Sequence, residues 1–214
     1  MLSTNNSHNT TSHTPKALPT IAEVEALHRK YAPTEEVFQL VWTHCCIVHD
    51  IALQLAQSSP VSFDLELVTL GSLLHDIGVY SLFSSSGFES TEDYVTHGIR
   101  GEEILKNEGF SETIYRFASH HTGSGLSKKQ IMERNLPLPH RDFMAETPEE
   151  QLVMYADKFH SKTKPPFFNS YEYYANFITQ YGEEPTAGFA ALTAMFGKPD
   201  LAPFIAKYGH ELRL

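Results

Sequence analysis

Leu73-Leu74-His75-Asp76-Ile77-Gly78 sets a histidine and a carboxylate side by side at the end of a strongly apolar segment. One imidazole nitrogen and one carboxylate oxygen are good ligands for a borderline divalent metal. Inside a protein neither group is stable alone, because an unpaired buried carboxylate costs several kcal/mol. The dipeptide also has a plainer reading: Asp76 ends a helix and Gly78 takes the left-handed position after it. Just upstream, Leu65, Leu67, Val68, Leu70, Leu73 and Leu74 leave almost no polar face. That is the pattern of a central helix, and it carries His75 and Asp76 inward.

Working outward, the spacing predicts further helices that turn ionisable groups toward the same interior. Thr20-Ile-Ala-Glu23 has the capping-box form and opens a short helix. Thr34 caps a longer one, whose inner face is Val37, Leu40, Val41, Val48, Ile51, Ala52 and Leu55. His44 falls on that face and His49 on the opposite one, toward water. A lone histidine on an apolar face is more often a core residue bonded to a backbone carbonyl than a ligand. A helix over 94–107 contains His97 beside Gly98 and Gly101. Two glycines there predict the close approach of another backbone or a ligand. After Ser111, the positions of Ile114, Phe117 and Ala118 select His121 as inward and leave His120 to one side. Residues 122–146 show no strong period and read either as a lid or as a surface excursion. Thr147-Pro148-Glu149-Glu150 starts a helix whose inner face, Val153 and Ala156, aims Asp157 at the core. Lys158, Lys162 and Lys164 follow, as a solvated helix end or as an anion site. The aromatic stripe Tyr171, Tyr173, Tyr174, Phe177, Ile178 and Tyr181 suits core or a dimer surface, so a homodimer is an open expectation. No internal repeat and no convincing strand appears. The expected fold class is all-α.

Composition narrows the field. The 214 residues suggest one domain with an appendage, and a net charge of −10 argues against a nucleic-acid polymer as partner. A small anionic substrate would need a bound cation or a local Lys/Arg cluster. Twelve histidines direct attention to metal. The two cysteines, adjacent at 45 and 46, give no disulfide framework and fit a reducing cytoplasm. No apolar run is long enough to span a membrane. Residues 1–19 are rich in Ser, Thr and Asn without an apolar centre, so they read as a disordered arm and not a secretory signal.

His44, then His75-Asp76, then Asp157, in that order, resembles the signature of the HD-domain metalloprotein superfamily. The surrounding words match too: Leu-Leu-His-Asp-Ile-Gly at 73–78, His-Gly-Ile-Arg-Gly-Glu-Glu-Ile-Leu at 97–105 and Tyr-Ala-Asp-Lys at 155–158. The resemblance covers about residues 36–164 and implies an all-α HD-domain helical bundle there. The expected domain runs over residues 20–164, with extra C-terminal helices over 165–214 packed on the same domain. It implies His44, His75, Asp76 and Asp157 as ligands of one divalent metal. His97 and His121 look like the added ligands of the dinuclear branches, with Asp76 bridging and serving catalysis. Fe, Mn, Zn, Co or Ni are the candidates, one or two per chain, iron being favoured if there are two. Lys158 and Arg100 would steady substrate charge, Lys158 as a catalytic group as well, with His120 and Lys162 beside them as substrate-binding residues.

Most such relatives are phosphohydrolases of nucleotides or other small phosphate esters, acting through a metal-activated water. A smaller branch consists of di-iron oxygenases that cleave C–C or C–P bonds. A non-enzymatic, metal-stabilised binding module is the remaining alternative. After His120-His121 the chain has Thr122-Gly123-Ser124-Gly125. The regulatory cyclic-dinucleotide branch carries Gly-Tyr-Pro there, so that substrate class is not expected.

Overall fold

The computed structural model describes residues 18–84, 87–88 and 92–214. The arm expected over 1–19 lies, but for its last two residues, outside them. Ten α-helices are described: α1 (Ile21–Tyr31), α2 (Glu35–Ser58), α3 (Leu65–Leu74), α4 (His97–Asn107), α5 (Glu112–Ser119), α6 (Lys128–Glu133), α7 (Pro148–Ala156), α8 (Tyr171–Phe177), α9 (Glu183–Phe196) and α10 (Ala202–Tyr208). Their starts follow from local chemistry. Thr20 and Thr147 each form a capping box, with Glu23 and Glu150 respectively. The Thr34 hydroxyl accepts from Val37 N–H, and the Asp64 carboxylate accepts from Glu66 and Leu67 N–H.

The chain is all-α in class, with five short strands: β1 (Phe83–Ser84), β2 (Gly87–Phe88), β3 (His160–Ser161), β4 (Phe167–Asn169) and β5 (Glu211–Arg213). β1 and β2 form a hairpin. β4 pairs antiparallel to β3 and parallel to β5, so residue 160 and the last residues of the chain share one small sheet. At two or three residues each, these strands are too short for an alternating pattern to register in the sequence.

Two apolar clusters make most of the core, and α2 serves both. Val37, Val41 and Cys45 join Leu70, Leu73, Leu74, Leu105, Ile114 and Ala118. Ile47, Val48, Ile51 and Leu55 join Phe117, Leu152–Ala156 of α7, and Phe168, Phe189 and Phe196 from the last fifty residues. The changeover along α2 falls at residues 45–47, next to His44. His49 does not face water as its helical angle suggests. It is half-buried with Nε2 3.2 Å from the Thr69 hydroxyl, because α3 crosses that side of α2. Residues 122–146 form a folded flap with α6 in it. Leu126, Ile131, Leu138 and Phe143 make a small core against Val95 and Ile99, and Arg141 holds both Glu102 oxygens at 3.1 and 3.0 Å.

Gly78 is not the left-handed helix terminator that its position suggests; its φ is not positive. Its reason is space. A Cβ there would overlap the His97 carbonyl and the Gly101 backbone, and one on Gly101 would press on the Ala118 methyl. The glycines of 97–105 therefore admit backbone, as their spacing asks. Gly78→Ala is expected to destabilise the protein by about 2 kcal/mol or more, the cost of overpacking where neither side can yield. Urea unfolding measures it, and a loss below about 0.5 kcal/mol, the size of an ordinary surface change, would show that α4 can slide.

Candidate metal centre

Six polar side chains from five helices meet in the interior. His44 comes from the middle of α2. His75 caps the C-terminus of α3, and Asp76 follows at the start of a 3-10 turn, Ile77–Leu82. His97 opens α4, His121 lies two residues past the end of α5, and Asp157 caps α7. His75 and Asp76 have no exposed surface, and the other histidines are nearly as buried.

Their donor atoms fall into two groups that share Asp76: His44, His75, Asp76 and Asp157 form one, and Asp76, His97 and His121 the other. In the first, His44 Nε2 lies 3.0 Å from Asp157 Oδ1, 3.1 Å from Asp76 Oδ2 and 3.3 Å from His75 Nε2. In the second, Asp76 Oδ1 is 3.5 Å from both His97 Nε2 and His121 Nε2, which are themselves 2.9 Å apart. Ligand bonds of about 2.1 Å put neighbouring donor atoms roughly 3.0–3.4 Å apart, so these separations have the scale of a metal shell.

Tautomers give a sharper test. The Nδ1 atoms of His75, His97 and His121 lie 2.7, 2.6 and 3.0 Å from the carbonyls of Ser72, Tyr94 and Phe117. A carbonyl only accepts, so each Nδ1 carries the proton and each ring turns its Nε2 inward. Burial opposes a charge on His75, but Asp76 outweighs it and raises its pKa well above the usual value; His97 and His121 behave otherwise. Burial, then His121, pushes the His97 pKa down to about 3, and burial likewise lowers His121. Both rings are therefore neutral, and two lone pairs face each other at 2.9 Å. A divalent cation between them would reconcile the two.

The carboxylates agree. Both Asp76 oxygens are buried without a well-aligned hydrogen bond. Burial opposes the charge of Asp76, but Lys162 and then His75 outweigh it and hold the carboxyl well below its usual range. For Asp157 burial is likewise outweighed, chiefly by Lys158. Burial raises the Cys45 thiol beside His75, so no thiolate joins the set. Nitrogen and oxygen donors of this kind suit a divalent metal of the Fe, Mn, Zn and Co group.

The basic residues are placed unequally. Lys162 lies closest, its ammonium 2.5 Å from Asp76 Oδ2 and 5.4 Å over the Tyr94 ring. Burial works against its charge, yet Asp76 raises its pKa. Lys158 is buried, bonded to Asp157 Oδ2 at 2.7 Å and to the His121 carbonyl at 2.9 Å. Arg100 is not brought to the metal residues. Its guanidinium turns back along α4 to the Thr96 hydroxyl at 2.8 Å and to the Ser81 carbonyl at 3.0 Å. His120 is also apart from them: its Nδ1 meets the Ser119 hydroxyl at 2.7 Å and its ring packs on Phe143. Sequence reasoning missed His160, whose Nδ1 lies 2.9 Å from His44 Nδ1, because no helical period carries it.

Helices that converge on a histidine–aspartate cluster of this kind define an HD domain, and the chain belongs to the HD-domain family: the family's sequence profile matches residues 41–162. Proteins of this family bind divalent metals. An uncharacterised protein of Methanocaldococcus jannaschii is 37% identical over 124 residues, 56% of this chain and 66% of that protein. A tRNA (cytidine(56)-2'-O)-methyltransferase of Picrophilus torridus is 32% identical over 124 residues, 58% of this chain but 32% of that protein. The chain thus spans less than two thirds of the length of these curated relatives. Among solved structures, the HD domain of the L. monocytogenes phosphodiesterase PgpH, crystallised with cyclic-di-AMP, superposes with a TM-score of 0.50 at 14% identity. That superposition covers 90% of this chain and 100% of that one, a likeness of fold. Among the described residues no helix is long and apolar enough to cross a membrane.

Proposed function

We propose that this protein is a metal-dependent phosphohydrolase acting on a nucleotide or another small phosphate ester. The observation that carries the reading is Lys162, a nearly buried ammonium set on the carboxylate shared by both donor groups. His44, His75, Asp76 and Asp157 would hold one divalent ion, and His97 and His121, with Asp76 between, a second. Such ions, when bound, supply an activated water and screening for phosphoryl oxygens.

The chain's own groups do the rest. The carbonyls of Ser72, Tyr94 and Phe117 keep three imidazoles aimed inward. Lys158 fixes Asp157 to the His121 carbonyl and so ties the two donor groups together. Lys162 neutralises Asp76 when no metal does, and offers its ammonium to a phosphoryl oxygen when one does. That division of labour assigns Lys162 to substrate and Lys158 to positioning.

The test is a panel of mononucleotides, linear and cyclic dinucleotides and simple phosphate mono- and diesters, assayed with Mn2+ or Fe2+. The cyclic dinucleotides are included because the structural relative binds one. Phosphate or nucleotide release from at least one member is the expected result. Oxygen uptake with iron and no release from any member would overturn it in favour of a di-iron oxygenase. Lys162→Met should lower kcat/KM about 10- to 100-fold, the loss of one charge-assisted hydrogen bond. An unchanged kcat/KM would remove Lys162 from the substrate site.

A further inference from the structure

His44 differs from the other three inward histidines in having no backbone carbonyl on its outer nitrogen. It sits in mid-helix, where the carbonyls are engaged along the helix itself. Its Nδ1 instead lies 2.9 Å from His160 Nδ1, and His160 Nε2 lies 2.9 Å from His210 Nδ1. The three rings form a line, with centroids 5.2 and 5.1 Å apart and planes within 29° and 21°. The family match takes in His44 and His160 but ends at residue 162, short of His210.

Two facing nitrogens can share one proton only, so the line has two consistent arrangements. In one, His44 Nδ1–H donates to His160 Nδ1, and His160 Nε2–H donates to His210 Nδ1. The inner nitrogen of His44 is then bare. In the other, every donor and acceptor is exchanged, and the His44 proton points at Asp157 Oδ1 and closes that nitrogen to a ligand. Which arrangement holds depends on what stands at the far end of the line.

We propose that His160 and His210 are positioning residues for the metal centre, holding His44 in the tautomer that presents its bare Nε2 to Asp76 and Asp157. The inference rests on the metal-centre reading above. His160 is fixed for this role on three sides. β3 pairs it with Phe168 in register, the Phe168 ring meets it edge-on at 5.1 Å, and β5 follows His210 directly onto the same sheet. With one nitrogen against His44 and the other against His210, the His160 ring relays between them as one donor and one acceptor. The last residues of the chain thus help to orient a ligand on α2. Partners of this kind typically change metal affinity 10- to 100-fold.

The experiment uses the full chain and Zn2+, titrated against a chromophoric chelator. It is repeated in a His121→Ala background to isolate the four-donor position. His160→Leu should weaken that position about 10- to 100-fold. His160→Asn, whose amide oxygen stands near the lost Nδ1, should recover most of it, and His210→Phe should weaken it by a smaller factor. In the Zn2+-loaded wild type, two-bond 1H–15N spectra should show His44 protonated at Nδ1 and His160 bare at Nδ1. An unchanged affinity in His160→Leu, an Asn variant as weak as the Leu variant, or the exchanged tautomers would each overturn the proposal. If His160→Leu does not fold, the Asn variant and the wild-type spectrum decide. Failure of the wild type to take up Zn2+ overturns the metal-centre reading with it. Normal wild-type uptake with no effect of His160 overturns this inference alone.

Discussion

Asp76→Asn is expected to abolish hydrolysis, lowering kcat/KM by about a thousandfold or more, and to remove both metals together. Each Asp76 oxygen faces a different donor group: Oδ2 the His44 side, and Oδ1 the His97 and His121 side. An amide has one acceptor oxygen and no charge, so it cannot serve both. A thousandfold is about 4 kcal/mol of barrier, a modest share of what a metal-activated nucleophile supplies. Metal content by elemental analysis and kcat/KM on the best substrate of the panel are the measurements. A variant that keeps both ions and activity within tenfold of wild type would refute the shared-carboxylate reading. His44→Ala should separate the two positions, leaving the ion held by His97 and His121.

Stripping the metal should lower Tm by about 8–16 °C. A ligand held a thousandfold above its Kd stabilises the folded chain by about 4 kcal/mol, and each kcal/mol moves Tm by roughly 2–4 °C at this size. The bare chain also keeps the facing lone pairs of His97 and His121 at 2.9 Å, with nothing to reconcile them. Thermal unfolding with and without a strong chelator reads the shift, and restoring the divalent ion should reverse it. A difference under about 2 °C, less than 1 kcal/mol by the same relation, would mean that the cluster is held by the protein alone.

How much of this was written in the sequence varies residue by residue. His44 and Asp157 are legible because each sits at a helical step from apolar neighbours that must be buried. His121 is chosen over His120 by the same angle. The spacing does not show that His120 is buried too, because a second layer, Phe143 of the flap, covers it from outside the helix. The glycines at 98 and 101 announce a close approach but not its partner, which is Ala118 of α5 for both. Arg100 illustrates a limit. Its place in the sequence word around His97 suggests the site, yet a long flexible side chain goes where acceptors are, here Thr96 and Ser81. Lys162, His160 and His210 lie in or beside strands of two or three residues, where no period exists to read. Their positions come from the small sheet that joins distant parts of the chain.

The glycine contact between the Ile77–Leu82 turn and α4 has one more consequence. With the Gly78 backbone against Gly101, and Gly101 against the Ala118 methyl, the chain segments bearing Asp76, His97 and His121 are wedged together with no slack. An ion held between these segments would have to match the spacing they set. Calcium, which needs bonds of 2.3–2.6 Å and six to eight oxygens, would match a set rich in imidazole nitrogen poorly. Smaller transition ions would suit it better, their ranking among themselves being left to ligand softness and cellular supply.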